Sequence, residues 1–160
     1  MITKVNITIE IVVINSRKMK NNFRSGCPIA STLDIIGDKW SLLILRDMLL
    51  HHKMTFKEFS SSEEQIAPSI LSSRLKLLTS YELITKQKQV NNKKENIYLL
   101  TEKAIELSSI LIDISIWGDK YLREFNRIND IEGLDLERSL IISTVNKRYC
   151  SMIQNIKLIK

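Results

Sequence analysis

Apolar and polar residues repeat along this chain with two different periods, and the changes of period predict its elements. Val5, Ile7, Ile9 and Ile11 alternate with Asn6, Thr8 and Glu10, so residues 2–14 predict a strand. A basic, polar linker follows over residues 16–24. From Pro28 the period becomes helical. Residues 28–36 predict a short helix with Pro28 in its first turn, Leu33 and Ile36 on one face and Gly37 at its end. Asp38 is placed to cap a second helix over residues 39–50. Trp40, Leu42, Leu43, Ile44, Leu45, Met48 and Leu49 leave that helix almost no polar side, so it is expected at the centre of the core.

After a connection at His51-His52-Lys53, Met54-Thr55 suit a short strand, and Thr55 can cap a helix whose Phe56 and Phe59 face the core. Residues 60–66 form a polar turn. Pro68 then opens a helix with Leu71, Leu75 and Leu78 on one face. Ser69, Ser72, Ser73 and Lys76 lie largely on the other side, with Arg74 near the boundary and no acid among them. Small hydroxyls allow close approach to DNA, and Arg and Lys supply hydrogen bonds to phosphates and base edges. A solvated amphipathic helix would read similarly, so the neighbouring elements carry weight. Residues 83–90 predict a strand, with Ile84, Lys86, Lys88 and Val90 on one face. Asn91, Asn92, Lys93 and Lys94 form a basic turn, and residues 96–100 return with Ile97 and Leu99 inward. Helix, turn, helix and basic hairpin is the order of a winged helix-turn-helix, and such a tip can reach a phosphate backbone or a minor groove. The DNA-contact set expected from this order is Ser69, Ser72, Ser73, Arg74, Lys76, Lys86, Lys88, Asn92, Lys93 and Lys94.

Thr101 caps a predicted long helix over residues 102–125. Leu107, Ile110, Ile114, Trp117 and Tyr121 are spaced three and four apart, and a second seam through Ala104, Leu111, Gly118 and Phe125 widens the apolar stripe. It is wider than a small domain needs, so one edge is expected to pack inside and the other to meet a second subunit. Gly118 costs about 1 kcal/mol against Ala in mid-helix, which a close helix–helix approach would explain. Residues 134–149 predict a last helix with Leu136, Leu140, Ile141 and Val145 on its apolar face; residues 151–160 are left unassigned. The expected class is mainly α with a small β-hairpin. Its organisation is an extension over residues 1–23, a winged helix-turn-helix domain over 24–125 and a helical extension over 126–160. Met19 is a candidate natural start, which would make residues 1–18 an upstream extension; an edge strand or swapped arm is the alternative.

Composition changes this picture only in part. The 160 residues carry a net charge of +6 and are 44% hydrophobic, enough for a core. A bias towards Ile, Lys and Asn can raise Lys content without functional demand, so distribution is more telling. Acids outnumber bases between Asp113 and Glu137, and the basic surplus lies upstream, which favours one DNA-facing side. Two cysteines make no disulfide framework, and neither a membrane-length apolar run nor a signal peptide is present, so a cytoplasmic protein is expected.

These residues resemble the HxlR-type winged helix-turn-helix family of bacterial transcription regulators. The matching residues are Cys27-Pro28, Thr32-Leu33-Asp34, Ile36-Gly37-Asp38-Lys39-Trp40, Leu43-Ile44-Leu45-Arg46-Asp47, Phe56, Pro68 with Leu71-Ser72 and Arg74-Leu75, Tyr98, Leu100-Thr101-Glu102-Lys103 and Trp117-Gly118. They run collinearly over residues 24–125. The resemblance implies a homodimer on a pseudo-palindromic operator in double-stranded DNA, joined through the first and long C-terminal helices. The expected interface is Leu33, Leu107, Ile110, Ile114, Trp117, Gly118 and Tyr121. It also implies, for some relatives, sensing of oxidants or electrophiles through the cysteine matching Cys27. Three departures stand out: Glu82 replaces a usual Gly after the recognition helix, Ala67 replaces a usual Ser before Pro68, and the wing lacks a common proline. If position 82 needs a positive φ, Glu strains it.

Cys27 precedes a helix start, whose partial positive charge favours a thiolate, and Arg24 and Lys39 could add to it. A small packed thiol is the plainer alternative. Adjacent His51 and His52 without a neighbouring Cys or carboxylate cluster make a weak metal site. No phosphate loop, nucleophile elbow or acid–base pair stands out, so neither cofactor, metal nor enzyme activity is expected. Winged domains can also serve as protein–protein modules without DNA, but such a module should carry an acidic or apolar face where this chain has Ser and Lys. An oxidant or small-molecule effector is compatible with the regulator reading.

Overall fold

The computed structural model describes residues 23–88, 95–125 and 137–158. The chain divides into two compact units, with the boundary between Asp34 and Ile35. The expected strand over residues 2–14, Met19 and the turn with Asn92, Lys93 and Lys94 lie outside the described residues, as do Leu134 and Leu136.

Helices α1 (Pro28–Ile36) and α2 (Lys39–Leu50) have the bounds the sequence predicts. Asp38 caps α2 by accepting from the Trp40 and Ser41 N–H groups at 3.1 and 3.0 Å. Helix α2 is central: Ile44, Leu45, Met48 and Leu49 are all buried, and it meets α4, α6, α7 and β2. Helix α3 (Phe56–Ser60) starts in a capping box, with the Thr55 hydroxyl accepting from the Glu58 N–H and the Glu58 carboxylate accepting from the Thr55 N–H. Phe59 is buried as expected, but Phe56 is 37% exposed. It holds the first position of a five-residue helix, next to the Thr55 cap, and the expected core-facing placement is not found.

Helix α4 (Pro68–Ser80) buries Leu71, Leu75 and Leu78 against α2, and Ala67 caps it without a side-chain bond. Its end is a Schellman turn: the Leu83 N–H donates to Leu78 O at 2.9 Å and the Glu82 N–H to Thr79 O at 3.1 Å. Glu82 has φ 59°, the left-handed value that makes glycine usual at this position.

Strands β1 (Ile84–Lys88) and β2 (Asn96–Leu100) pair antiparallel, with Ile84 opposite Leu100 and Lys88 opposite Asn96. Only Ile84 of β1 is buried; Thr85 to Lys88 are exposed on both faces, so the expected alternation is absent. In β2, Tyr98 and Leu100 are buried along with Ile97 and Leu99. Neither edge of β2 is left open. Thr55 bridges to Ile97 on the edge away from β1, the Tyr98 N–H donates to Met54 O at 2.8 Å, and the Phe59 ring meets Tyr98 edge-on.

The long helix expected over residues 102–125 is broken. Thr101 caps a single turn, α5 (Glu102–Ile105), and α6 (Ser108–Leu122) begins after a turn at Glu106 and Leu107. The Leu107 N–H reaches Ala104 O and the Ile110 N–H reaches Leu107 O, so the i→i−4 ladder is interrupted without proline or glycine. Ala104 before the break and Ile112 after it are both buried in the core. Helix α7 (Arg138–Leu158) starts later and runs further than expected. Ile141, Val145 and Tyr149 join the main core, while Leu140 is 48% exposed instead of lying on the buried face.

Candidate nucleic-acid interface

Helix α4 and strand β1 present the candidate DNA-facing side chains. Ser69, Ser73 and Lys76 are exposed on α4 and Ser72 is half-buried; Lys86 and Lys88 are exposed on β1. The helix is held by its leucines, so the polar face follows from the apolar one. Arg74 stands apart. Its side chain is two-thirds covered, and its Nε lies 3.3 Å from Asp38 Oδ1 without an aligned hydrogen bond.

A buried charge cluster supports the approach to α4, and the sequence reading missed it. Asp47, buried in α2, accepts hydrogen bonds from the Lys53 ammonium at 2.9 Å, from the Arg46 guanidinium at 2.6 Å and from the Ser62 hydroxyl. Arg46 also grips Glu64 with two bonds, at 2.6 and 3.1 Å. These bonds tie α2 to the turn between α3 and α4. Burial alone would raise the Asp47 pKa, but the bonds from Ser62, Lys53 and Arg46 outweigh it and hold the carboxyl below the usual range. The signal was available: a carboxylate in the middle of a helix apolar nearly all round must be buried, and a buried charge needs partners.

A second surface lies on α6. Ile110, Ile114, Trp117 and Tyr121 are 41–59% exposed along one side of the helix, and Ile110, Asp113, Ile114 and Trp117 line an open groove. The Trp117 and Tyr121 rings are 5.3 Å apart. Leu107 is half-buried and packs against the core. Among the described residues, a Cβ at Gly118 would meet nothing within 4 Å, so no close helix approach among them explains this glycine. Arg138 at the start of α7 makes a bidentate ion pair with Asp113 at the edge of the groove.

In the first unit, Cys27 is exposed, and Ile29 and Leu33 are 71% and 52% exposed. Neither cation the sequence offered to Cys27 is left unengaged: Arg24 pairs with Asp34 at 2.6 Å, and Lys39 lies over the Trp40 ring. Among the described residues, no group of three His, Cys, Asp or Glu side chains is placed to hold a metal ion, and no helix is long and apolar enough to cross a membrane.

A short helix, a turn, a leucine-anchored second helix and a hairpin packed beside it define a winged helix-turn-helix protein. The chain belongs to the HxlR-like helix-turn-helix family, which it matches over residues 35–126. It is 33% identical over 126 residues to the uncharacterized HTH-type transcriptional regulator YdeP of Bacillus subtilis (strain 168), covering 75% of this chain and 94% of that one. The solved structure of PA1607 superposes with a TM-score of 0.60 at 30% identity, covering 71% of this chain and 80% of that one. The redox regulator HypR in its reduced form superposes with a TM-score of 0.52 at 26% identity, covering 62% of this chain and all of that one. The family is one of helix-turn-helix transcription regulators.

Proposed function

We propose that this protein is a cytoplasmic transcription regulator that binds double-stranded DNA as a homodimer. The observation that carries the reading is the outer face of α4. Ser69, Ser72, Ser73 and Lys76 lie together with no acid anywhere from Pro68 to Tyr81, and the exposed Lys86 and Lys88 follow on the adjoining strand. Serines permit close approach to the groove floor, and the lysines neutralise phosphates. Asn92, Lys93 and Lys94 would extend the lysine row at the wing tip. A second copy docks on Ile110, Ile114, Trp117 and Tyr121, with Leu33 and Gly118 as further interface positions, so that two recognition helices meet half-sites about one DNA turn apart. Selection of bound duplexes from random sequence tests this. The expected result is a pseudo-palindromic consensus and an affinity that falls steeply with salt. Replacing Lys86 and Lys88 with Ala should flatten the log–log salt slope by about 0.9 per lost phosphate contact. Recovery of no consensus by the wild type would refute the reading.

Oxidant control through Cys27 belongs to the same proposal. It is supported by the exposed thiol at the start of α1 and by the likeness to the redox regulator HypR. Peroxide would oxidise the thiol to a sulfenic acid and be reduced to water. Gel shifts of wild type and Cys27→Ser before and after mild peroxide test it: only the wild type should respond, and an equal response would make Cys27 structural.

A further inference from the structure

Arg74 occupies a place on α4 that the DNA-facing side chains do not share. At about 100° per residue, Ser69, Ser72, Ser73 and Lys76 fall within one arc of the helix, and Arg74 falls roughly 150° from the centre of that arc. It sits between Leu71 and Leu78, both fully buried. Its Nε is enclosed, and the nearby charge is the carboxylate of Asp38 at the start of α2. Asp38 is itself fixed: its Oδ1 accepts from the Trp40 and Ser41 N–H groups, and its Oδ2 accepts from the Ser41 hydroxyl at 2.5 Å.

We infer that Arg74 is a positioning residue of the recognition helix, which it locks in rotation against α2 through Asp38, and that it does not read base identity. The inference rests on the DNA-binding reading above. Burial of Leu71, Leu75 and Leu78 holds α4 against α2, but apolar attraction is non-directional and specifies rotation about the helix axis only through shape. A charge pair anchored on the cap of α2 adds direction where α2 and α4 meet. A turn of α4 by even a fraction of a residue would swing the outer serines away from the groove floor, weakening contacts to every sequence alike. A guanidinium bonded to guanine would behave differently, because its loss relaxes preference at one position.

The test uses the full-length protein with Arg74→Gln, Asp38→Asn and the double variant, measuring affinity and duplex selection. Asn keeps the cap acceptor for the Trp40 and Ser41 N–H groups and removes the charge. Its amide nitrogen cannot accept from the Ser41 hydroxyl, which must turn to accept from it, and because the double-variant cycle compares like with like this change cancels. Each single variant should lose about two- to fivefold in affinity, the range of a partly exposed ion pair. The selected consensus should stay that of the wild type, and the double variant should be no worse than either single one. Arg74→Lys should recover binding relative to Arg74→Gln, since the pair needs a charge, whereas a bidentate base contact does not tolerate Lys. A changed preference at one base position in Arg74→Gln but not in Asp38→Asn would overturn the inference, as would losses that multiply in the double variant. A melting-temperature cycle of the same variants without DNA separates the two readings. Non-additive losses support the latch even if the wild type selects no duplex, and additive ones overturn it whatever the DNA result.

Discussion

The Tyr149 hydroxyl accepts the backbone N–H of Leu100 at 2.7 Å, joining helix α7 to strand β2 of the hairpin. Two residues back along β2, the Tyr98 N–H donates to Met54 O, so Tyr149 takes up the donor beyond the end of the short Met54-Thr55 edge. Both partners are buried. Tyr149→Phe would leave the Leu100 N–H without an acceptor and should cost about 1–3 kcal/mol in urea unfolding. Burial pushes the Tyr149 pKa up to about 12 from an ordinary 10.0, only partly offset by the Leu100 N–H. The folded state therefore keeps a proton that the unfolded chain releases. Stability is full below pH 10 and falls by roughly 2–3 kcal/mol as pH rises towards 12. Alkaline unfolding of wild type and Tyr149→Phe should show this loss only in the wild type.

Asp47 governs the opposite end of the pH scale. Its folded pKa is lowered, so its contribution is present above the unfolded carboxylate value and is lost as pH falls through the folded one. Asp47→Asn removes the charge that Lys53 and Arg46 are bonded to, and should cost about 3 kcal/mol at neutral pH. Acid titration of thermal stability should be shallower in the variant; parallel curves would show that Asp47 is not what fails in acid.

How far the sequence was legible depends on which interactions are local. The Asp38 and Thr55 caps and helices α1, α2 and α4 depend on residues within a few positions of each other, and their patterns read directly. The burial of Tyr98 and Leu100 was hidden because it depends on Thr55, Met54 and Tyr149, which are distant in sequence. The break at Glu106-Leu107 was hidden for the reverse reason: the apolar period continues across it unbroken, and no proline or glycine marks it. Arg74 was placed near the boundary of its helix by spacing, but its partner Asp38 is 36 positions away and only the fold brings them together.

Glu82 makes a prediction of the opposite sign. It holds φ 59° at the position that ends α4, and the Thr101 hydroxyl donates to its carbonyl at 2.8 Å. A left-handed conformation costs a residue with a Cβ about 1–2 kcal/mol, part of which glycine gives back in chain entropy. Glu82→Gly should therefore stabilise the protein by up to about 1 kcal/mol, read as a raised urea midpoint with unchanged slope. A destabilised variant would mean that the Glu82 side chain makes contacts worth more than the strain.

The exposed face of α6 gives the sharpest test of assembly. Ile114 is 50% exposed, with Ile110, Trp117 and Tyr121 beside it, so a carboxylate at position 114 costs an isolated chain almost nothing. In a dimer the same carboxylate would be desolvated against a second apolar face, at a cost of several kcal/mol. Ile114→Asp should therefore melt as the wild type does at high dilution and sediment as a monomer at micromolar concentration, where the proposed homodimer predicts that the wild type sediments as a dimer. Gly118→Ala adds a discriminating readout. A Cβ there meets nothing within 4 Å among the described residues and improves helix propensity by about 1 kcal/mol. If a second copy approaches closely at this point, the variant should gain monomer stability and lose dimer affinity together. A wild type that sediments as a monomer would remove the dimer from the proposal, and an unchanged Gly118→Ala dimer would move its centre away from Gly118.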